Sequence, residues 1–195
     1  GESNIPEAHG KIKRLFTDPQ NCRALPDVIE AIRDAELIIL GPGSLYTSVT
    51  PNLLIKEIAH EIAVSKAKKI YVCNIMTQPG ETDGYSVSDH INALVTHAGS
   101  KKIIDAVLVN DFMPSNLAQK YQLSGSYPVK IDVENIRKMG FSIFSRKLIE
   151  DSKEGLVRHS SNRVARAIYY WFRKKQKGEK IKPSAKLAEK QGCVV

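Results

Sequence analysis

Long apolar runs are missing from this 195-residue chain. No stretch approaches the roughly 20 residues that a helix needs to cross a bilayer. No signal-peptide pattern opens the sequence either, so neither a membrane span nor secretion is expected. Cysteine is scarce: Cys22, Cys73 and Cys193 are an odd set without metal-ligand spacing. They read as reduced thiols in a cytoplasmic protein, with Cys73 inside a buried strand. Only two residues follow Cys193, so a prenylation box is not expected. There is no initiator methionine, no internal repeat and no low-complexity block. Gly1-Glu-Ser-Asn-Ile-Pro6 runs directly into the alternating segment 11–16, which reads as a strand from the middle of a domain. The expectation is therefore that the front of the protein lies outside this chain.

Acidic charge is thin at one end. From Arg173 to Val195 eight lysines and arginines face only Glu179 and Glu189, so +6 of the net +8 resides there. The preceding part is close to neutral, whereas a nucleic-acid-binding domain carries its charge as a stripe on the folded surface. With 42% hydrophobic and 26% charged residues the chain has the composition of one globular domain with a real core. The expected division is an α/β domain over 1–176 and a basic mobile tail over 177–195, where core-forming periodicity stops. A rival reading of function is a nonspecific binding module that touches membrane lipids or nucleic acid through the charge of that tail alone; no specific nucleic-acid partner is expected.

The stretch that organises the chain is Leu37-Ile-Ile-Leu-Gly-Pro-Gly-Ser-Leu-Tyr-Thr-Ser48. Its first four residues form an unbroken apolar run, as in a strand buried on both faces of a parallel sheet. Gly41 and Gly43 lack Cβ, so the chain can turn there and a ligand can approach the backbone amides. Thr50-Pro51 has the form of a helix N-cap followed by proline at the first helical position. Strand, glycine turn and helix start make a candidate anion site. The same residues also fit an ordinary βα turn. Neither a Walker loop nor Gly-x-Gly-x-x-Gly is present, because no Gly-Lys-Ser/Thr follows and position 46 is tyrosine.

Further along, helices are expected over 26–35, 51–65, 86–97 (with Ser86 and Asp89 at capping-box spacing and Gly99 as the stop), 115–121, 133–139 and 160–170. Strands are expected over 69–74, 105–110, 127–131 and 141–144. Strands alternating with helices predict a Rossmann-like α/β fold, its sheet mainly parallel with helices on both faces and its N-terminal part missing. Ligands of such sheets bind beyond the carboxyl ends of the strands. Three loops take that position: 41–50, 75–85 and 110–116. They and the strand ends before them supply Gly41, Gly43, Ser44, Leu45, Thr47, Ser48, Asn74, Thr77, Gln78, Gly80, Glu81, Thr82, Asp83 and Asn110 as candidate ligand-binding residues.

Glu81 and Asp83 are paired carboxylates that can hold a hydrated magnesium ion or act as acid and base, or can simply be turn residues. His90 and His97 lie two helical turns apart without a partner at ligand spacing and read as packing or surface histidines. No Ser-His-Asp arrangement can be singled out. Arg158 precedes the last helix, where a guanidinium clamps a phosphate or makes a surface salt bridge; Tyr121 either stacks on a base or sugar or closes a small core.

The blocks 41–48 (GPGSLYTS), 71–84 (YVCNIMTQPGETDG) and 155–159 (GLVRH) strongly resemble the bacterial gluconeogenesis-factor family, the UDP-sugar-binding branch of the phospholactate-transferase (CofD) superfamily. The likeness runs from Gly1 to about Phe172, with the chain taken as the C-terminal two thirds of a member. It implies a Rossmann-like, cytoplasmic protein that binds UDP-sugars, notably UDP-N-acetylglucosamine, and supports gluconeogenic growth, cell shape and envelope synthesis. A regulator without turnover and without a required cofactor is expected, as a homo-oligomer. The alternative is a magnesium-dependent phospholactate-type transferase. The family's Gly-Gly-Gly-Thr-Gly turn is absent from this chain, and the transferase branch has a different loop where Gly41 to Ser48 stands here.

Overall fold

A computed structural model describes residues 5, 10, 12–150, 156–179 and 181. Four strands, β1 (Leu37–Leu40), β2 (Lys68–Val72), β3 (Ala106–Asn110) and β4 (Ser142–Arg146), form one sheet in the order β1-β2-β3-β4. Every pairing is parallel, with Leu40 opposite Tyr71, Ile70 opposite Ala106 and Asn110 opposite Arg146. The carboxyl ends of all four strands therefore lie along one edge of the sheet. The helices are α1 (Pro26–Asp34), α2 (Thr50–Leu54), α3 (Lys56–Val64), α4 (Val87–Ala98), α5 (Ser115–Gln122), α6 (Val133–Lys138) and α7 (Ser161–Gln176).

Strand side chains alternate between two cores, as a period of two requires. Tyr71, Val107 and Val109 face one side, where they pack with Leu53 of α2, Ile62 of α3 and Ile91 and Leu94 of α4. Ile70, Val72, Ala106, Leu108 and Phe144 face the other, covered by Val164, Ala167, Ile168 and Trp171 of α7. Trp171 is among the largest fully buried side chains; truncating it to alanine would cost roughly 3–5 kcal/mol. The expected α/β sheet with helices on both faces is what forms.

Local signals decide where α4 lies. Ser86 accepts from the Asp89 amide while the Asp89 carboxylate takes the Ser86 N–H, a complete capping box, and Gly99 closes the helix at φ 68°. Asp132 locks this start to the rest of the fold by accepting from Ser88 N at 3.0 Å and from the Ser86 and Ser88 hydroxyls. Burial raises the Asp132 pKa, but these bonds and one from Asn135 outweigh it and hold the carboxyl below its ordinary range.

Elsewhere the structure departs from expectation. Residues 12–16 alternate but pair with no strand among the described residues, so alternation there makes no ladder. Segment 127–131 makes only single bridges, Pro128 to Met76 and Lys130 to Ser86. The helix expected over 51–65 breaks at Ile55 (φ −75°, ψ 104°), which lets α2 pack on α4 while α3 packs on α1. Its start is also earlier. Thr50 is no N-cap, because a π-type turn over Leu45–Val49 already winds into it, with the Ser48 and Val49 amides both returning to Ser44 O at 3.0 Å. The last helix runs six residues beyond Tyr170, so Arg173, Lys174 and Lys175 belong to the folded body. Beyond it, Ile181 packs against the α7 core. Position 180 and residues 182–195 of the expected tail lie outside the described residues.

Candidate functional site

The turn after β1 is shaped by glycine. Gly41 has φ 74°, and a Cβ there would sit 2.9 Å from Val72 O of the neighbouring strand. Gly43 is close to Ser48, whose Cβ would stand 3.2 Å from an added methyl. The helix start that follows is held from within the protein. Glu81, 7% exposed, accepts the Tyr46 N–H at 2.7 Å. A carboxylate of the β2 loop thus occupies an amide at the helix start where the sequence suggested an external anion. Leu45, expected to contact the ligand, is fully buried and offers no exposed surface in this structure.

More bonds stitch the two loops. Gln78 Nε2 donates to Ser44 Oγ at 2.8 Å, and Asn74 Nδ2 donates to Gln78 Oε1 at 3.2 Å. The Gln78 amide donates to Thr82 Oγ1 at 2.9 Å, and the Glu81 and Thr82 amides return to Gln78 O. Thr77 is buried, with its hydroxyl accepting from Tyr127 N and its carbonyl from Ser126 Oγ. Tyr46 and Tyr85 share a hydroxyl–hydroxyl bond of 2.8 Å, and burial first, then that bond, pushes the Tyr46 phenol well above its usual pKa. Burial likewise pushes the Cys73 thiol up to about 12, which keeps it protonated at neutral pH.

The carboxylates do not act as a pair. Glu81 is turned inward to Tyr46, whereas Asp83 is exposed and accepts the Gly80 N–H at 2.6 Å. Among the described residues no group of three His, Cys, Asp or Glu side chains could hold a metal ion. His90 and His97 are packing residues: His90 Nδ1 bonds to Ser86 O, and His97 takes the Leu15 amide on Nε2 while Nδ1 bonds to Ala93 O.

The β3 side is different. Asn110 is engaged on both ends, donating to Phe112 O at 2.6 Å and accepting from Leu148 N at 2.9 Å, so it fixes the exit from β3. Tyr121 packs against the cluster of Ile75, Met76 and Ile149, and its hydroxyl accepts from Val157 N at 2.9 Å. It holds the segment that carries Arg158, whose side chain is exposed and makes no bond among the described residues. Ser48 is likewise exposed at the end of the first loop.

His159 is the residue that sequence reasoning missed. Its ring is hydrogen-bonded to the backbone of Cys73 at the end of β2, burial lowers its pKa, and its Nε2 is buried without a partner. The only signal for it was its place inside the 155–159 block.

The chain matches the family model described as 2-phospho-L-lactate transferase CofD over residues 1–149. It is 46% identical over 173 residues to a putative gluconeogenesis factor from a Nostoc species, covering 88% of this chain and 38% of that protein. With the gluconeogenesis factor of Bacillus subtilis it shares 45% identity over 166 residues, 85% of this chain and 52% of the relative. A crystal structure of a UPF0052-family protein from Bacillus halodurans superposes with a TM-score of 0.81 at 42% identity, over 87% of this chain and 54% of that one. The chain thus spans about half the length of these relatives or less, not the expected two thirds.

Proposed function

The chain belongs to the 2-phospho-L-lactate transferase CofD family, beside its members named gluconeogenesis factor, and from that premise we propose that it is a cytoplasmic UDP-sugar-binding regulator of growth on gluconeogenic carbon sources. The observation that supports this reading is the Glu81–Tyr46 bond, which fixes two polar loops at the ends of adjacent parallel strands before any ligand arrives. Polar loops already fixed at this edge of a parallel sheet suit selective binding of a nucleotide-sugar. Gly43, Ser44, Ser48 and Gln78 are its candidate contacts on one side, and Arg158, held next to Val157, is the cation for a phosphate. The ligand carries the role in envelope synthesis and cell shape, with UDP-N-acetylglucosamine the expected species.

Transfer chemistry needs groups that stabilise charge developing at a reacting centre, beyond those that bind. Glu81 and Asp83 are each committed to a backbone amide, which weighs against the transferase reading. Calorimetry of the protein with UDP-N-acetylglucosamine, UDP-glucose and GDP, with and without magnesium, tests the choice. Preferential UDP-sugar binding that is indifferent to magnesium is the expected result. Absence of UDP-sugar binding, together with magnesium-dependent phospholactate transfer, would overturn it.

A further inference from the structure

The outer side of α7 carries a row of residues that the proposed site does not use. Val164, Ala167, Ile168 and Trp171 point into the sheet. At 3.6 residues per turn the opposite side of the helix is marked by Arg166, Tyr169, Arg173 and, just past its last turn, Lys177. All four are exposed, Tyr169 to 65%. They follow one another at steps of three or four residues, so they form one straight line about 16 Å long. There is no acidic residue anywhere in α7.

The flank of the row is also cationic. Tyr170 stacks on Phe144 with ring centroids 6.1 Å apart, and Arg146 lies over both rings at 4.3 and 5.4 Å. Lys174 is paired with Glu179. In the sequence, Lys180, Lys182, Lys186 and Lys190 continue the same sign with Glu189 as their only counter-charge.

We propose that this outer row of α7 is a docking surface for an anionic lipid headgroup layer. The row runs straight along the side of α7 opposite its buried face, so a plane can touch all of its members at once. Arginines and lysine supply attraction to anionic lipid, and a tyrosine between two arginines sits where its ring reaches headgroup level. Single-stranded nucleic acids are instead bound in a charged groove with successive aromatic platforms. Here Tyr170, 40% exposed, has one face covered by Phe144, so Tyr169 is the most open ring on this helix.

The test is co-sedimentation of the full chain with vesicles of phosphatidylcholine plus phosphatidylglycerol, and with phosphatidylcholine alone. The expected result is binding to the mixed vesicles only, fading as salt is raised. R166E/R173E should lower partitioning about tenfold or more. Tyr169→Ala, which leaves charge unchanged, should lower it roughly threefold. Unaltered melting temperatures for these variants show that the fold is kept. No binding to the mixed vesicles overturns the proposal. So does binding that R166E/R173E leaves intact but K180Q/K182Q/K186Q/K190Q abolishes, since that result assigns the attraction to the tail. Stronger binding to polyuridylate than to vesicles, with the same dependence on Arg166 and Tyr169, overturns it in favour of RNA.

Discussion

Beyond β1 and β2 side chains tie one loop to the other; beside β3 and β4 they bond to backbone and leave a cation exposed. On the first side Glu81 holds the Tyr46 amide, and Asn74, Gln78 and Ser44 form a chain of side-chain bonds. On the second, Asn110 and Tyr121 act as brackets, and Arg158 is presented without a partner among the described residues. The difference separates two tasks. On the proposed reading, a rigid half presents its polar groups at low entropic cost on binding. An open half then supplies charge whose partner arrives with the ligand. Substitutions on the first side should therefore act on stability, and substitutions on the second on affinity.

Arg158→Ala should show the largest effect. Once a ligand phosphate covers the guanidinium, removing it costs on the order of 2–5 kcal/mol of affinity. The urea midpoint of the free protein should not move, because the side chain holds nothing in the described fold. Titration calorimetry and urea unfolding read the two quantities separately. An unchanged affinity for UDP-sugar would remove Arg158 from the site and break the comparison.

Glu81→Ala should do the reverse. It leaves the buried Tyr46 amide without an acceptor and removes a charge-assisted bond, at a cost of about 1.5–3 kcal/mol in unfolding free energy. Glu81→Gln keeps an acceptor of the same shape and should recover about half of that loss. If both variants unfold like the wild type, the two loops are not stitched through this bond.

Acid should weaken the fold as a whole. Burial lowers the pKa of both His90 and His159. An unfolded histidine titrates near 6.5, so below about that pH the unfolded chain binds more protons than the native one. Their contribution to stability is complete above about pH 6.5 and is lost as pH falls through the lowered native values. Asp132, also held below its usual range, adds a second loss that begins only as pH falls below about 4. Urea midpoints across this range should fall in two stages, and His90→Gln should flatten the first. A midpoint that rises from pH 7 to 5.5 would contradict the burial of the two rings.

Much of the architecture was legible from pattern. The apolar run 37–40 and the capping box at Ser86 and Asp89 are local signals, and both elements form where those signals stand. Segments 12–16 and 127–131 show why alternation is insufficient: a strand also needs a partner edge, and that depends on the rest of the fold. In the site, the glycine turn and the three loops could be placed by spacing. The identity of the anion could not. Glu81 reaches Tyr46 across 35 positions of sequence, and nothing local distinguishes a carboxylate that binds metal from one that caps a neighbouring turn. His159 was hidden for the same reason, since its burial against Cys73 arises from tertiary packing.

Tyr121 gives the smallest expected effect and the sharpest reading of the open half. Its ring packs on Ile75 and Met76, while its hydroxyl accepts the Val157 N–H. Phenylalanine keeps the ring and leaves that amide without its partner, so Tyr121→Phe should cost about 1 kcal/mol in stability. If the ring's role is to hold the segment before Arg158, loosening that segment should also weaken UDP-sugar binding a few-fold, because the guanidinium is then less well placed before the ligand arrives. If instead the ring stacks on a base, phenylalanine should bind as tightly as tyrosine and only Tyr121→Ala should lose affinity. Calorimetry on the two variants separates a bracket from a contact. A Phe variant with wild-type stability and wild-type affinity would show that the Tyr121–Val157 bond contributes to neither.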